Sequence, residues 1–497
     1  MGVAVVVAAG VVAAVVATSG SGGGTGDVPK AGGRGAGGSA SAPAKAAAPP
    51  PNVGDVVVGS DDKSVTITHP DGTTATVRLS AWPGAMYTVP AGARGAGTVY
   101  VLPGFAQPGI EPADEHKVSR ITPAGELADI PMPGAVTTAA VAPADAPGAG
   151  TLYAGVRPGP GEPGWIEAVG PDGTVRKYDA GVEPCSVVVA PAGAPNAGTV
   201  YVTNCGTPTV DHPETRTGGS FTVITPQGTV RQLPAAGQSV GALVVAPAGT
   251  PNAGTVYALL TGEETADRVM TVLRPDGTTA TVPLPAAPLL ALVAPAGTPD
   301  AGTVYVSGTP SAGSAPPVVA YGPTGKIRTL VAGYVKAVAP AGTPAAGTLY
   351  VEQNVDATHD KLVAVAPSGA TQTLIAQVDG VDTLEVEVAP AGTPGAGTLY
   401  VVAYAANGMR VHVIPPSGGG SVVDLPDGKT GITVAPAGGP NAGWAYVVNV
   451  NGDTGAERGS LTVITPAGGI TTTGPGVAPD DVLIVPAAGV GVSDQVL

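Results

Sequence analysis

One short segment recurs eight times along this chain of 497 residues, and its spacing restricts the possible folds more than any other feature. The clearest copies read VAPAGTPNAGTVYA at residues 245–258 and VAPAGTPDAGTVYV at residues 293–306. The other copies occupy residues 89–101, 141–154, 189–202, 338–351, 388–401 and 434–447. Each copy has a tyrosine near its end, and successive tyrosines lie about 45–56 residues apart. This period indicates a tandem array of one supersecondary unit.

Each unit contains a second hairpin downstream of the recurring segment. Examples are IEAVGPDGTVRKY at residues 166–178 and FTVITPQGTVRQL at residues 221–233. Pro presets one backbone angle of a tight turn and Gly adopts the left-handed conformation, while the flanking Val, Ile, Thr and Tyr favour strands. Each unit therefore has four strands, a to d, and a four-stranded unit of this length is typical of a β-propeller blade. We predict an all-β chain folded as a single β-propeller of eight or nine four-stranded blades.

The two ends of the repeat region are complementary. Eight full units account for residues 83–474, which leaves one piece before them and one piece after them. Residues 55–79 match strands b, c and d, whereas residues 481–489 match strand a. Because an open ring would leave strand edges exposed, we expect these two pieces to pair and close the ring as a further blade.

Two units also contain a recognisable tetrapeptide, YVTN at residues 201–204 and YVVN at residues 446–449. The units resemble the NHL and YVTN repeats of β-propellers, and the resemblance extends over residues 55–497. It implies a propeller fold without assigning a function, since such propellers include binding proteins, sensors and lyases. The order of anchor, linker and propeller is also similar to the outer half of receptor-like Ser/Thr kinases, although the sequence contains no kinase motif.

The N-terminal region differs from the repeats. Residues 1–18 are almost entirely apolar and uncharged, and we predict a hydrophobic helix that acts as a membrane anchor or signal-like segment. A buried strand is the alternative. Residues 19–54 are rich in Gly, Ser, Ala and Pro, which indicates a flexible linker. We therefore expect residues 55–497 to be extracytoplasmic, either membrane-anchored or secreted, with the N-terminal segment as the only membrane contact.

The distribution of charge favours one face of the expected ring. The chain has a net charge of −15, which argues against nucleic-acid binding. The eight a–b loops are near copies and contain only the charges Arg94, Asp145 and Asp300. The b–c loops vary in length and sequence and contain many of the acidic residues. Because functional variation concentrates in loops on a constant scaffold, we place a binding site on the b–c face.

Three b–c loops combine histidine with acidic residues. The candidate binding residues are Asp114, Glu115, His116, Asp211, His212, Glu214, His359 and Asp360. Such groups could form a metal site or an acid–base pair, but they belong to units 1, 3 and 6 and cannot all converge. The sequence has no nucleophile elbow, HExxH motif or P-loop, so we assign no catalytic residue and no metal ligand set. We expect no cofactor, with a divalent cation as the alternative.

Two glutamates interrupt an apolar inner strand. Glu385 and Glu387 lie two residues apart in strand a of the seventh unit, so they point to the same side. Two carboxylates need water, a cation or a basic partner when they are placed in an interior. Lys336 in the preceding unit is such a basic residue. We expect these three residues to line a wet central channel.

The only two cysteines fall at the ends of one predicted hairpin. Direct pairing of Cys185 with Cys205 in unit 3 would also pair Pro191 with Thr199 and leave residues 192–198 as the loop. Directly opposed side chains are close enough for a disulfide after modest adjustment. We predict this disulfide, whereas a register shifted by one residue would favour two unpaired thiols.

These features favour a non-enzymatic binding or sensing module, such as the outer part of a receptor-like system. Its partner would be a protein, peptide or glycan recognised on the b–c face, and we expect a monomer. One alternative is a metal-dependent enzyme of the lyase or lactonase kind found on similar propellers. The other alternative is a structural protein of the cell envelope.

Overall fold

The computed structural model describes residues 53–60, 62–104, 116–159, 161–208, 216–235, 241–260, 268–309, 315–356, 358–379, 384–405, 408–425, 429–450, 459–473 and 479–485. The predicted hydrophobic segment at residues 1–18 lies outside these ranges, as does nearly all of the predicted linker. Within them the secondary structure consists of strands, and none of these residues belongs to a helix suited to crossing a bilayer.

The strands form nine four-stranded antiparallel sheets, which we number as blades 1 to 8 in chain order with blade 9 as the closing blade. Blade 9 begins with β1 (Val56–Ser60), β2 (Ser64–Thr68) and β3 (Thr74–Arg78). Blade 1 contains β4 (Pro83–Thr88), β5 (Val99–Pro103), β6 (Lys117–Ile121) and β7 (Leu127–Pro131), and blade 2 contains β8 (Ala135–Val141), β9 (Leu152–Arg157), β10 (Pro163–Val169) and β11 (Val175–Val182). Blade 3 contains β12 (Pro184–Val189), β13 (Val200–Asn204), β16 (Ser220–Ile224) and β17 (Val230–Pro234), with the short extra hairpin β14 (Thr207–Pro208) and β15 (Arg216–Thr217) between β13 and β16.

The remaining blades follow the same order. Blade 4 contains β18 (Leu243–Val245), β19 (Val256–Leu259), β20 (Val269–Leu273) and β21 (Thr279–Pro283), and blade 5 contains β22 (Pro288–Val293), β23 (Val304–Gly308), β24 (Pro317–Tyr321) and β25 (Ile327–Ala332). Blade 6 contains β26 (Tyr334–Val338), β27 (Leu349–Asn354), β28 (His359–Val365) and β29 (Thr371–Asp379). Blade 7 contains β30 (Leu384–Val388), β31 (Leu399–Ala405), β32 (Gly408–Ile414) and β33 (Ser421–Leu425), and blade 8 contains β34 (Lys429–Val434), β35 (Ala445–Val450), β36 (Ser460–Ile464) and β37 (Ile470–Thr473). The last strand is β38 (Pro479–Ile484).

The fold is therefore an all-β propeller of nine blades, in agreement with the sequence prediction. In each blade the strands pair in the order a–b–c–d, and the a strands of successive blades contact one another. Strand a is thus the innermost strand. The a–b and c–d turns lie on one face of the ring, while the b–c and d–a connections lie on the other, which we call the b–c face.

The ring closes through pairing of β1 with β38, as the sequence predicted. Val57 lies opposite Leu483 in an antiparallel register, which places β38 as strand a of blade 9. The backbone amide of Gly54 donates to the carbonyl of Val485 at 2.8 Å. These bonds cover the edge that β1 would otherwise expose.

The core lies between neighbouring blades and consists mainly of valine, alanine, leucine and the repeat tyrosines. One cluster combines Tyr305 and Val318 of blade 5 with Leu349 and Val351 of blade 6. The tyrosine of each of blades 1 to 8 is buried. Small β-branched side chains allow adjacent sheets to approach closely, and each tyrosine supplies most of the apolar area of its strand.

An asparagine in the a–b loop links neighbouring blades. The side-chain amide of Asn252 donates to the hydroxyl of Tyr257 in its own blade at 2.6 Å and to the carbonyl of Gly302 in the next blade at 2.8 Å. The same bridge is formed in two other places, by Asn196 to Gly254 and by Asn441 to Gly54. Three a–b loops thus join neighbouring blades through an asparagine side chain, and we call this contact the asparagine bridge.

The glycine that receives the bridge cannot readily be replaced. Gly302 has a φ of +79°, and a Cβ atom built on it would lie 1.9 Å from Oδ1 of Asn252. Any other residue would therefore be strained and would collide with the bridging amide. Gly254, which receives the bridge from Asn196, is restricted in the same way, with a φ of +77° and 1.9 Å between a Cβ atom and Oδ1 of Asn196.

The a–b hairpin of blade 3 has a register that differs from the predicted one. Ser186 pairs with Thr203 and Val189 with Val200, whereas the prediction opposed Cys185 to Cys205. The register shifts between Pro184 and Ser186, so Cys185 is the extra residue of a β-bulge. Cys185 and Cys205 nevertheless form a disulfide, with Cα atoms 5.9 Å apart. The bulge turns the Cys185 side chain toward Cys205, which the regular register alone would not do.

Candidate binding site on the b–c face

The described part of the b–c face contains only some of the residues that the sequence singled out. Asp114, Glu115, Asp211, His212 and Glu214 lie outside the described residues. The others, His116, His359 and Asp360, belong to blades 1 and 6.

These residues have local structural contacts. The His116 carbonyl accepts a bond from the amide of Met132 at 2.7 Å. His359 and Asp360 were expected in a loop, but they begin strand β28 because the b–c turn of blade 6 is shorter than predicted. The imidazole Nδ1 of His359 lies 2.8 Å from a carboxylate oxygen of Asp356. Asp360 is fully buried and accepts a bond from the amide of Asn354 at 2.9 Å.

Hydrogen bonds stabilise the charged form of the Asp356 carboxyl group in this turn. The backbone amide of Thr358 and the ring of His359 hold the pKa of Asp356 below its usual value. The charged form of Asp356 therefore supports the turn, and these contacts give His359 a structural role. The structure does not bring His116 and His359 together, since they lie in blades 1 and 6.

The alternation predicted for Glu385 and Glu387 is present in β30. Leu384, Val386 and Val388 are buried against blade 6, so Glu385 and Glu387 occupy the opposite side of the strand, where they are half-buried. Lys336 of blade 6 was suggested as their basic partner. Its Nζ atom lies 2.5 Å from Oε2 of Glu352 in its own blade.

Glu352 belongs to strand β27 and is fully buried. Its Oε1 atom accepts a bond from the amide of Leu384, the first residue of strand a in blade 7, at 3.0 Å. In two other blades, the polar side chain two residues after the repeat tyrosine also bonds to the next blade. The Thr203 hydroxyl donates to the Gly241 carbonyl at 3.1 Å, and the amide of Val335 donates to Ser307. Glu352 is therefore a link between blades.

The strongest concentration of charge on the described b–c face lies between blades 2 and 3. Nη1 of Arg157, at the end of β9, lies 3.0 Å from Oε1 of Glu183. Arg216, in the extra hairpin strand β15, forms an ion pair with the other oxygen of Glu183. We call Arg157, Glu183 and Arg216 the double-arginine cluster.

The backbone holds Glu183 rigidly. Glu183 is the single residue between β11 and β12, and its φ of +52° is uncommon for a residue with a side chain. The Glu183 carbonyl accepts a bond from the amide of Cys205 at 2.9 Å, so the residue is tied to the strand that carries the disulfide. Its side chain is 5% exposed, whereas those of Arg157 and Arg216 are 32% and 27% exposed. The carboxylate is thus buried beneath two accessible guanidinium groups.

The electrostatics of the cluster favour an additional anion. Counted over the described residues, the two guanidinium groups and one carboxylate of the cluster leave one positive charge in excess. Burial and the neighbouring charge of Arg157 lower the pKa of Arg216, although arginine keeps its proton at neutral pH. An anion near both arginines would relieve this repulsion.

The sequence did not single out this cluster. Its three residues come from strand b of blade 2, the d–a connection and the extra hairpin of blade 3, so no local motif contains them. The available signal was the segment GVEPC at residues 181–185, where an acidic residue occupies a very short connection directly before a proline. Within the described ranges, His, Cys, Asp and Glu side chains form no group of three that could hold a metal ion.

Comparisons with known proteins identify the architecture alone. No protein family matches the chain, and no curated protein matches it. The crystal structure of a eukaryotic initiation factor aligns with 88% of this chain and 99% of its own, with a TM-score of 0.57 and 9% identity. The dihydro-heme d1 dehydrogenase NirN aligns with 76% of this chain and 74% of its own, with a TM-score of 0.47 and 14% identity. An inactive virginiamycin B lyase from Staphylococcus aureus aligns with 58% of this chain and 83% of its own, with a TM-score of 0.34 and 15% identity.

Proposed function

We propose that this chain is an extracytoplasmic binding module of the NHL/YVTN kind that recognises a protein, peptide or glycan on its b–c face. The observation that carries this proposal is the difference between the two faces. Three of the a–b loops form asparagine bridges that join neighbouring blades, and the eight a–b loops are near copies, so this face varies little from blade to blade. The b–c face combines variable connections with the double-arginine cluster.

The proposed location outside the cytoplasm is supported by the apolar segment at residues 1–18 and by the disulfide in blade 3. Disulfides persist in oxidising compartments and are rare in the cytosol. The lyase or lactonase alternative would need histidine and acidic side chains that converge. His116 and His359, in blades 1 and 6, give it no support.

The test is a binding screen of the purified full-length chain against cell-wall glycans, peptides and divalent ions. For a ligand that binds, we expect substitution of exposed b–c residues, such as Glu162→Gln or Asp356→Asn, to change the affinity. The matched substitution Asp145→Asn on the a–b face should leave the affinity unchanged. Binding that responds to Asp145 and not to any b–c substitution would place recognition on the other face and overturn the proposal.

A further inference from the structure

We propose that Arg157 and Arg216 together bind a carboxylate group of the ligand, with Glu183 as the residue that holds the two guanidinium groups in place. This inference rests on the proposed function, because it assigns a ligand chemistry to the b–c face. It adds a specific subsite between blades 2 and 3.

The arginines have hydrogen-bonding capacity beyond their contacts with Glu183. A guanidinium group has five N–H donors in a planar fork. Arg157 reaches Glu183 through Nη1, and Arg216 uses Nη1 for Glu183 and for a long contact of 3.5 Å to the Gly206 carbonyl. Among the described residues, the Nε and Nη2 atoms of both arginines have no hydrogen-bonding partner. Paired N–H groups of this kind match the two oxygens of a carboxylate.

The charge of the cluster favours a monoanion. One bound carboxylate would balance two guanidinium groups and one Glu183 carboxylate. A phosphate dianion would leave an excess negative charge on a chain whose net charge is already −15. A single carboxylate, such as that of a uronic acid or a peptide C-terminus, therefore fits best.

The subsite is also preorganised. Glu183 is nearly buried and lies in a one-residue connection, and its carbonyl is bonded to Cys205, which is linked covalently to Cys185. Gly206, next to Cys205, has a carbonyl within reach of Arg216. The two arginines are therefore held in place before a ligand arrives, which reduces the entropic cost of binding.

The experiment is calorimetry of the full-length chain with sodium glucuronate as the probe and glucose as the uncharged match. We expect glucuronate to bind and glucose not to bind. Arg157→Gln and Arg216→Gln should each weaken glucuronate binding by about tenfold, because each removes a charge-assisted bond. Arg410→Gln is the matched control, since Arg410 pairs with Asp424 in blade 7, away from the cluster. This control should bind as the wild type does.

Glu183→Gln tests the positioning role of the carboxylate. The glutamine oxygen can accept from one guanidinium group, but its NH2 group cannot accept from the other, so the pair loses its fixed geometry and glucuronate should bind more weakly than to the wild type. Circular dichroism of each variant confirms that the propeller remains folded. The same calorimetry is repeated with inorganic phosphate as the probe. Tighter binding of phosphate than of glucuronate would contradict the assignment of a monoanion.

Absence of glucuronate binding by the wild type, or equal affinity of the wild type and both arginine variants, would overturn the carboxylate subsite. That result is separate from the proposed function. A ligand from the screen that binds to the b–c face and is unaffected by Arg157→Gln and Arg216→Gln would retain the binding module while removing this subsite.

Discussion

At the scale of single residues, the repeat tyrosine is the most uniform feature of the molecule. Burial raises the pKa of Tyr100, Tyr257 and Tyr350 to about 12. Burial also raises the pKa of the corresponding tyrosines in the other blades, namely Tyr153, Tyr201, Tyr305, Tyr400 and Tyr446. Because desolvation penalises the phenolate, the folded state retains these eight protons more strongly than the unfolded chain does.

This difference predicts alkaline unfolding. The tyrosine pKa is about 10 in the unfolded chain. The contribution of Tyr100, Tyr257 and Tyr350 to stability is therefore complete below pH 10 and is lost as the pH rises through about 12, and the other five repeat tyrosines act in the same direction. Phenolate absorbance and far-ultraviolet circular dichroism, recorded on the same samples, should change together in this range. Ionisation of these tyrosines near pH 10 without loss of β-structure would contradict the prediction.

The Lys336–Glu352 pair is a second feature at this scale. Glu352 is fully buried, so the variant Lys336→Met would leave its carboxylate without the lysine charge. Loss of one partner of a buried pair costs about 3–5 kcal/mol, and we expect a clearly lower midpoint in urea unfolding. The double variant with Glu352→Gln should recover much of this loss. Lys326→Met, at an exposed turn of blade 5, is the control and should unfold as the wild type does.

At the scale of structural elements, the sequence predicted the conformation of the a–b loops but not their contacts with the next blade. The recurring spacing of Pro, Gly and Tyr within the chain predicted the hairpins and the blades correctly, because turn residues and strand formers act locally. The asparagine bridge could not be predicted, since the side-chain amide of Asn252 donates to Gly302 in the next blade. The β-bulge at Cys185 was not predicted either, because no particular residue type in the sequence marks a one-residue shift of register.

The asparagine bridge can be tested by adding one. Ala345 of blade 6 occupies the position that Asn252 has in blade 4, five residues before the repeat tyrosine. Pro344 lies close to Gly397, the glycine that would receive the bridge. We expect Ala345→Asn to raise the melting temperature by forming bonds to Tyr350 and Gly397. Asn252→Ala should have the opposite effect, at a cost of about 1–3 kcal/mol. Equal stability of both variants and the wild type would show that the bridge contributes nothing.

The disulfide belongs to the same scale because it joins the two ends of one hairpin. It links residues separated by 20 positions, and a loop of this size contributes about 3 kcal/mol at most. Replacing both cysteines by serine should lower the stability by this amount or less. A thiol titration of unreduced, denatured protein provides the direct measurement, with no free thiol expected. Two free thiols per chain would disprove the bond.

At the scale of the whole molecule, the sequence predicted the ring and its closure, since each depends on patterns repeated many times. It did not predict the double-arginine cluster, because Arg157, Glu183 and Arg216 meet only when blades 2 and 3 pack. The candidate residues were chosen from the sequence because histidine and acidic side chains often bind ligands. In the structure His359 and Asp360 form local contacts within blade 6.

Closure of the ring predicts the effect of a truncation. Deletion of residues 479–497 removes β38 and leaves one side of β1 unpaired. We expect a substantially lower melting temperature, because the closing blade loses an inner strand and blades 8 and 9 lose packing between them. The control is a shorter deletion that begins after Val485 and retains β38, and its effect should be much smaller. Equal melting of the longer deletion and the wild type would show that β38 does not hold the ring closed.

The pairing of the two ends also has a consequence for how the protein reaches its folded state. The bridge from Asn441 to Gly54 joins residues that are 387 positions apart. Contacts of such long range form slowly, because a large loss of chain entropy precedes them. The individual blades, built from hairpins, can form early from local contacts. We therefore expect closure of the ring to be a late step in folding. Until β38 pairs with β1, the exposed edge of β1 could pair with another copy of the chain.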